Sequence, residues 1–105
     1  MAPLIEENRT KLYLVCKEHK LKYLYIFGSA ARGIDFTAES DIDFLYAFDK
    51  GKISLNGYAD NFFNFLFRLE DLFKRKIDLV LNEKIKNPYF LKQVDSDKIL
   101  VYGNN

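Results

Sequence analysis

One cysteine, Cys16, and one histidine, His19, are all that 105 residues offer of the side chains that most often close disulfides or ligate zinc. A disulfide framework is therefore excluded, and so is a zinc site built on the usual Cys and His sets. The same usage fits a reducing cytoplasm. Also missing is a surplus of either charge: sixteen basic against fifteen acidic residues leave +1. That balance lacks the basic excess that announces sequence-independent nucleic-acid binding, although a local basic patch stays open. No segment approaches the ~20 apolar residues of a membrane span, and Met1 to Glu7 holds no basic stretch followed by an apolar run. A protein neither secreted nor membrane-embedded is expected, resident in the cytoplasm. There are no internal repeats and no low-complexity segments.

What is present is 49% apolar and 30% charged sequence. This composition predicts one globular domain over residues 1–105, with a single core and no separate substrate domain. A large substrate must then bring part of its own docking surface.

The periodicity predicts an α/β order. A helix is expected from Pro3 to about His19, with apolar residues at Ile5, Leu12, Val15 and Cys16 and with Pro3 and Glu6 suited to its first turn. Cys16 and His19 lie three apart on it. They read either as an imidazole-activated thiol or, in preference, as a core filler beside a helix-end histidine. Leu21 to Phe27 reads as a strand that stops at Gly28, followed by a short helical turn and a polar loop from Ile34 to Ser40. A second strand is expected from Asp41 to Phe48, and a long helix from about Ser54 to Lys74 on the stripe Tyr58, Phe62, Phe65, Leu69 and Leu72. Phe63 and Phe67 lie off that stripe and form a second apolar face. It reads as a partner surface or, slightly preferred, as a face buried by the rest of the fold. A third strand covers Ile77 to Leu81, a helix with Asn87 and Pro88 at its start ends near Asp97, and Ile99 to Tyr102 closes the chain as a last strand.

The chemistry sits in three places. Gly28-Ser29-Ala30-Ala31-Arg32-Gly33 is a glycine-flanked turn whose backbone N–H groups and Ser29 hydroxyl can face an anion, with phosphate the obvious ligand. Asp41 and Asp43 stand one residue apart on a strand, so both carboxylates share one face, roughly 7 Å apart along the backbone, and suit hard cations such as magnesium or manganese. Asp78 interrupts the apolar run Ile77-Asp78-Leu79-Val80-Leu81, where a buried unpaired charge would be costly, and offers a third carboxylate. Two metal ions about 4 Å apart are the arrangement for phosphoryl or nucleotidyl transfer. For Gly28 to stand over the two aspartates, the first two strands must run antiparallel.

Taken together, Phe27-Gly28-Ser29, Ser40-Asp41-Ile42-Asp43, Ile77-Asp78-Leu79-Val80 and the ending Ile99-Leu100-Val101-Tyr102 resemble the minimal nucleotidyltransferases (MNT) of the polymerase-beta-like superfamily, over nearly the whole chain. The resemblance implies a mixed sheet with helices mainly on one side. It also implies that Asp41 and Asp43 hold Mg²⁺ or Mn²⁺, that Asp78 completes the site and helps activate the acceptor hydroxyl, and that Gly28 and Ser29 bind nucleotide phosphates. Arg32 would assist the phosphates or anchor the loop. Small stand-alone members are similar to antitoxins whose partner is an all-helical HEPN-domain ribonuclease toxin. That resemblance implies transfer of AMP from ATP to a tyrosine of the toxin, within a hetero-oligomer. Two alternatives stand beside it: an antitoxin acting by occlusion alone, and nucleotidyl transfer to a small molecule.

Overall fold

The computed structural model describes residues 1–104. Four strands form one sheet: β1 (Leu21–Phe27), β2 (Ile42–Phe48), β3 (Ile77–Leu81) and β4 (Ile99–Gly103), in the order β3-β2-β1-β4. β1 runs antiparallel to both β2 and β4, whereas β2 and β3 are parallel. The parallel pair needs a crossover, and the helix α4 (Tyr58–Phe73) lies within it. The other helices are α1 (Pro3–Glu7), α2 (Arg9–Glu18), α3 (Gly28–Arg32) and α5 (Pro88–Asp97).

Strand alternation divides the sheet into two unequal faces. Ile42, Phe44, Tyr46 and Phe48 of β2 point into the large core, where they meet Leu24 and Ile26 of β1, Leu12, Val15 and Cys16 of α2, and Phe65, Leu69 and Phe73 of α4. The intervening residues face the other side, where the single buried residue of α5, Val94, packs on Phe27 and Leu45. The sheet is thus mixed, with its helices mainly on one side. Asn87 starts α5 as expected, its side chain accepting from the Tyr89 and Phe90 N–H groups, with Pro88 in the first turn.

Four expectations change. The first helix is broken in two at Asn8, which leaves helical geometry (φ −109°, ψ 14°) while its side-chain amide donates to the Leu4 carbonyl at 2.8 Å. Asparagine competes for backbone partners in this way, which ends α1. α4 begins at Tyr58, not Ser54, because the Gly57 N–H turns back onto both Ser54 Oγ (3.0 Å) and the Ser54 carbonyl (3.1 Å). Phe63 and Phe67 are not covered: they are 51% and 59% exposed, with ring centroids 6.2 Å apart, because only the Phe65, Leu69 and Phe73 side of α4 is fully buried. Finally, Asp78 is exposed, since β3 is an edge strand whose only buried residue is Ile77. The cost of burying a charge does not apply to it.

Cys16 and His19 behave as structural residues. Burial pushes the Cys16 thiol up to about 12, which leaves it unreactive. The buried His19 ring donates from Nδ1 to the Val15 carbonyl at 2.8 Å and lies against Phe65.

Candidate active site

β1 ends where β2 begins. In the antiparallel register Phe27 pairs with Asp43, so the turn that starts at Gly28 stands directly above that aspartate. Gly28 has φ +71°, a region that L side chains rarely enter, and a Cβ there would run into Asp43 Oδ2. The bare backbone of Gly28 therefore lies against the Asp43 carboxylate, and the residue can only be glycine without displacing it. α3 ends at Gly33, another left-handed residue, whose N–H bonds to the Ser29 carbonyl at 2.9 Å.

β3 begins where β2 begins as well. The parallel pairing aligns Asp43 with Asp78, and neighbouring strands stand about 4.8 Å apart, so both side chains share one face. Asp43 feels both Asp78 and Asp41. Burial raises the Asp43 carboxyl most, Asp78 and then Asp41 raise it further, Arg32 opposes them, and the outcome is a pKa of about 6 in place of 3.8. A group that struggles to ionise beside two further carboxylates suits a divalent cation, which would relieve both burial and repulsion.

Asp41 lies one residue before β2, with a side chain 45% exposed and paired to Lys76 Nζ at 3.8 Å. As the side chains stand, no three His, Cys, Asp or Glu among the described residues converge into a metal-binding group. The pairing to Lys76 turns Asp41 towards that ammonium.

Arg32 closes α3 with its charge. Its Nη1 forms an ion pair with Asp97 Oδ2, whose side chain is only 8% exposed and also accepts from Gln93 Nε2 at 3.1 Å. Arg32 thus anchors α3 to α5 while its field reaches Asp43. Ser29 is half-buried in the first turn of α3.

Sequence reasoning missed Arg75, Lys76 and Asp97. The run Lys74-Arg75-Lys76 reads as a cationic end for α4, but Lys74 is its left-handed C-cap (φ 55°) and the next two side chains turn to the Asp41 region. No local signal marks such partners, which lie more than thirty residues away in the chain.

A family model for "Polymerase beta, Nucleotidyltransferase" matches residues 10–105. Two Methanocaldococcus jannaschii proteins, both provisionally named protein adenylyltransferases, are 40% identical over 85 residues and 36% identical over 90, in each case over 81% of this chain and 81% of the relative. Among solved structures, one provisionally described as a minimal nucleotidyltransferase superposes with a TM-score of 0.70 at 26% identity, covering 90% of both chains. A chain from the complex of a tri-AMPylated Shewanella oneidensis HEPN toxin with its MNT antitoxin shares the fold, with a TM-score of 0.61 at 19% identity over 94% of this chain and 72% of that one. With its motif residues gathered at one end of the sheet and the family model matched from residue 10 onward, this chain belongs to the polymerase-beta nucleotidyltransferase family.

Proposed function

We propose that this protein transfers AMP from ATP to a tyrosine hydroxyl of a HEPN-type toxin partner, releasing pyrophosphate. The observation that carries the reading is the alignment of Asp43 with Asp78 on parallel strands directly beneath Gly28. Further support comes from the names of the two Methanocaldococcus relatives and from the AMPylated toxin in the Shewanella complex.

In this reading the acceptor oxygen forms a bond to the α-phosphorus of ATP, the bond from that phosphorus to the pyrophosphate oxygen breaks, and the hydroxyl proton passes to the Asp78 carboxylate. Mg²⁺ or Mn²⁺ held by Asp41, Asp43 and Asp78 would supply the positive charge that offsets charge developing on the phosphates. Gly28 lets phosphate approach the backbone closely, and the Ser29 hydroxyl donates to the outgoing phosphates. Arg32, anchored by Asp97, adds a fixed positive field on that side. The exposed Phe63 and Phe67 pair supports contact with a protein partner, since adjoining exposed aromatics favour association. No helix among the described residues is long and apolar enough to cross a membrane, and the reading places the reaction in the cytoplasm.

The test is a labelling assay with the purified protein, Mg²⁺, α-labelled ATP and the product of the neighbouring gene. Label is expected on the partner and is expected to vanish with Asp41→Asn or Asp43→Asn. Neutralisation of the partner by the wild-type chain without any label on it would show occlusion to be sufficient and sink the transferase reading.

A further inference from the structure

The loop from Ile34 to Asp41 carries no regular element, and its internal bonds are local: the Thr37 N–H donates to Ser40 Oγ at 2.9 Å and the Ser40 N–H to the Thr37 carbonyl at 3.1 Å. Two residues tie this turn to the fold. Phe36 rests half-buried against the large core. The Arg75 guanidinium lies over the Phe36 ring, 4.6 Å from its centroid, and its Nη1 donates to the Thr37 carbonyl at 3.0 Å and to the Ser40 carbonyl at 2.9 Å.

The Ser40 carbonyl belongs to the peptide that leads into Asp41. On the other side of Asp41, the Ile42 N–H donates to the Lys76 carbonyl at 3.1 Å, while the Asp41 carboxylate itself meets Lys76 Nζ. Both peptides flanking Asp41 are thus held by two consecutive residues, 75 and 76, which lie just before Asp78 on the same strand approach. The placement of Asp41 relative to Asp78 is set from this short segment.

We infer that Arg75 is the positioning residue for Asp41, clamping the entry to β2 so that the Asp41 backbone is fixed beside Asp43 and a divalent cation need displace only the exposed Lys76 ammonium from its carboxylate. The inference rests on the reading of Asp41 as a cation ligand given above. Arginine is required because one planar group both covers an aromatic ring and donates to two carbonyls, a geometry that the single ammonium of lysine does not reproduce.

The experiment compares Arg75→Lys, Arg75→Ala and Asp41→Asn with the wild-type chain. It uses Mn²⁺ titration followed by electron paramagnetic resonance, amide hydrogen exchange, and AMP transfer to the partner at varied Mn²⁺. Asp41→Asn is expected to weaken Mn²⁺ binding at least tenfold. Both Arg75 variants are expected to weaken it about tenfold, following the loss of a preorganised ligand. They should also speed exchange at Ser40 and Ile42 but not in β1 or β4, and lower kcat in a way that excess Mn²⁺ restores. A purely structural role would not show that rescue. Should Arg75→Ala fail to fold, Arg75→Lys carries the same comparison. Wild-type Mn²⁺ affinity, within twofold, in the folded Arg75 variants while Asp41→Asn loses it overturns the inference and leaves the transferase reading standing. Wild-type affinity in Asp41→Asn overturns the reading of Asp41 and the inference with it.

Discussion

Substituting Gly28 by alanine separates the stability of this fold from its chemistry. Two costs arise at that position. A left-handed backbone (φ +71°) disfavours an L side chain by about 1–2 kcal/mol, and the added Cβ meets Asp43 Oδ2, with Asp43 Cγ and Cβ at 3.4 and 3.6 Å. The first cost is tolerable, since Lys20, Asp35 and Lys74 all sit at positive φ in this same chain. The second falls on the far end of a side chain that can rotate, so relief is available without moving the backbone. The relief has a consequence: the Asp43 carboxylate leaves the position aligned with Asp78.

Thermal melting of Gly28→Ala should therefore drop by roughly 4–15 °C, the shift expected of a domain this size for about 1–2 kcal/mol. If Asp43 acts as proposed, AMP transfer, assayed well below that melting point, should fall at least about 100-fold, because misplacing a reacting group by an ångström costs on that order. The disproportion is the signature. A variant that melts lower but transfers AMP within threefold of wild type would refute the claim that Gly28 is bare to accommodate Asp43.

The Asp43 carboxyl, raised to about 6, binds its proton more tightly in the folded chain than in the unfolded one, where 3.8 applies. The fold is therefore penalised as pH rises from about 4 through 6, by about 1 kcal/mol once solvent screening of a half-exposed group is allowed for. Denaturant melts in EDTA should find Asp43→Asn more stable than wild type at pH 8 and equal to it at pH 3; equal stabilities at pH 8 would contradict a carboxylate penalised by burial and by its acidic neighbours. On α4, the double variant Phe63→Ser and Phe67→Ser should stay within about 1 kcal/mol of wild type in chemical denaturation, as surface substitutions do. Phe65→Ala, fully buried on the same helix, should lose about 3–5 kcal/mol.

Much of this arrangement was legible in the chain before its fold. The strands β1 and β3 announce themselves as short apolar runs, and the demand that Gly28 stand over two aspartates already required β1 and β2 to be antiparallel, as they are. What escaped has a common physical origin: it depends on which elements become neighbours. Asp78 looks like a buried charge in its apolar strand, yet β3 falls at the sheet edge and leaves it in solvent. Phe63 and Phe67 continue an apolar helix surface, yet nothing in periodicity says which of two apolar faces finds the sheet. Arg75 looks like a helix-end cation and Arg32 like a phosphate or loop anchor, and only the tertiary fold brings one to the Ser40 carbonyl and the other to Asp97, 65 residues on.

The hydrophobic core is what enforces the spacing of the carboxylates. Ile77 is buried and pairs with Ile42, also buried, while the next residues on each strand, Asp78 and Asp43, pair on the opposite face. Because side chains alternate strictly along a strand, a slip of one residue between β2 and β3 would carry Asp78 into the place of Ile77. It would then lie among Phe44, Phe73 and Ile42, where an unpaired charge costs several kcal/mol. The antiparallel pairing is constrained in the same way, for a parallel β1 would leave Gly28 at the far end of a seven-residue strand, roughly 20 Å from Asp43. The residues that fix the spacing of Asp43 and Asp78 are thus buried apolar ones, and substitutions at Ile42 or Ile77 act on the candidate site through register.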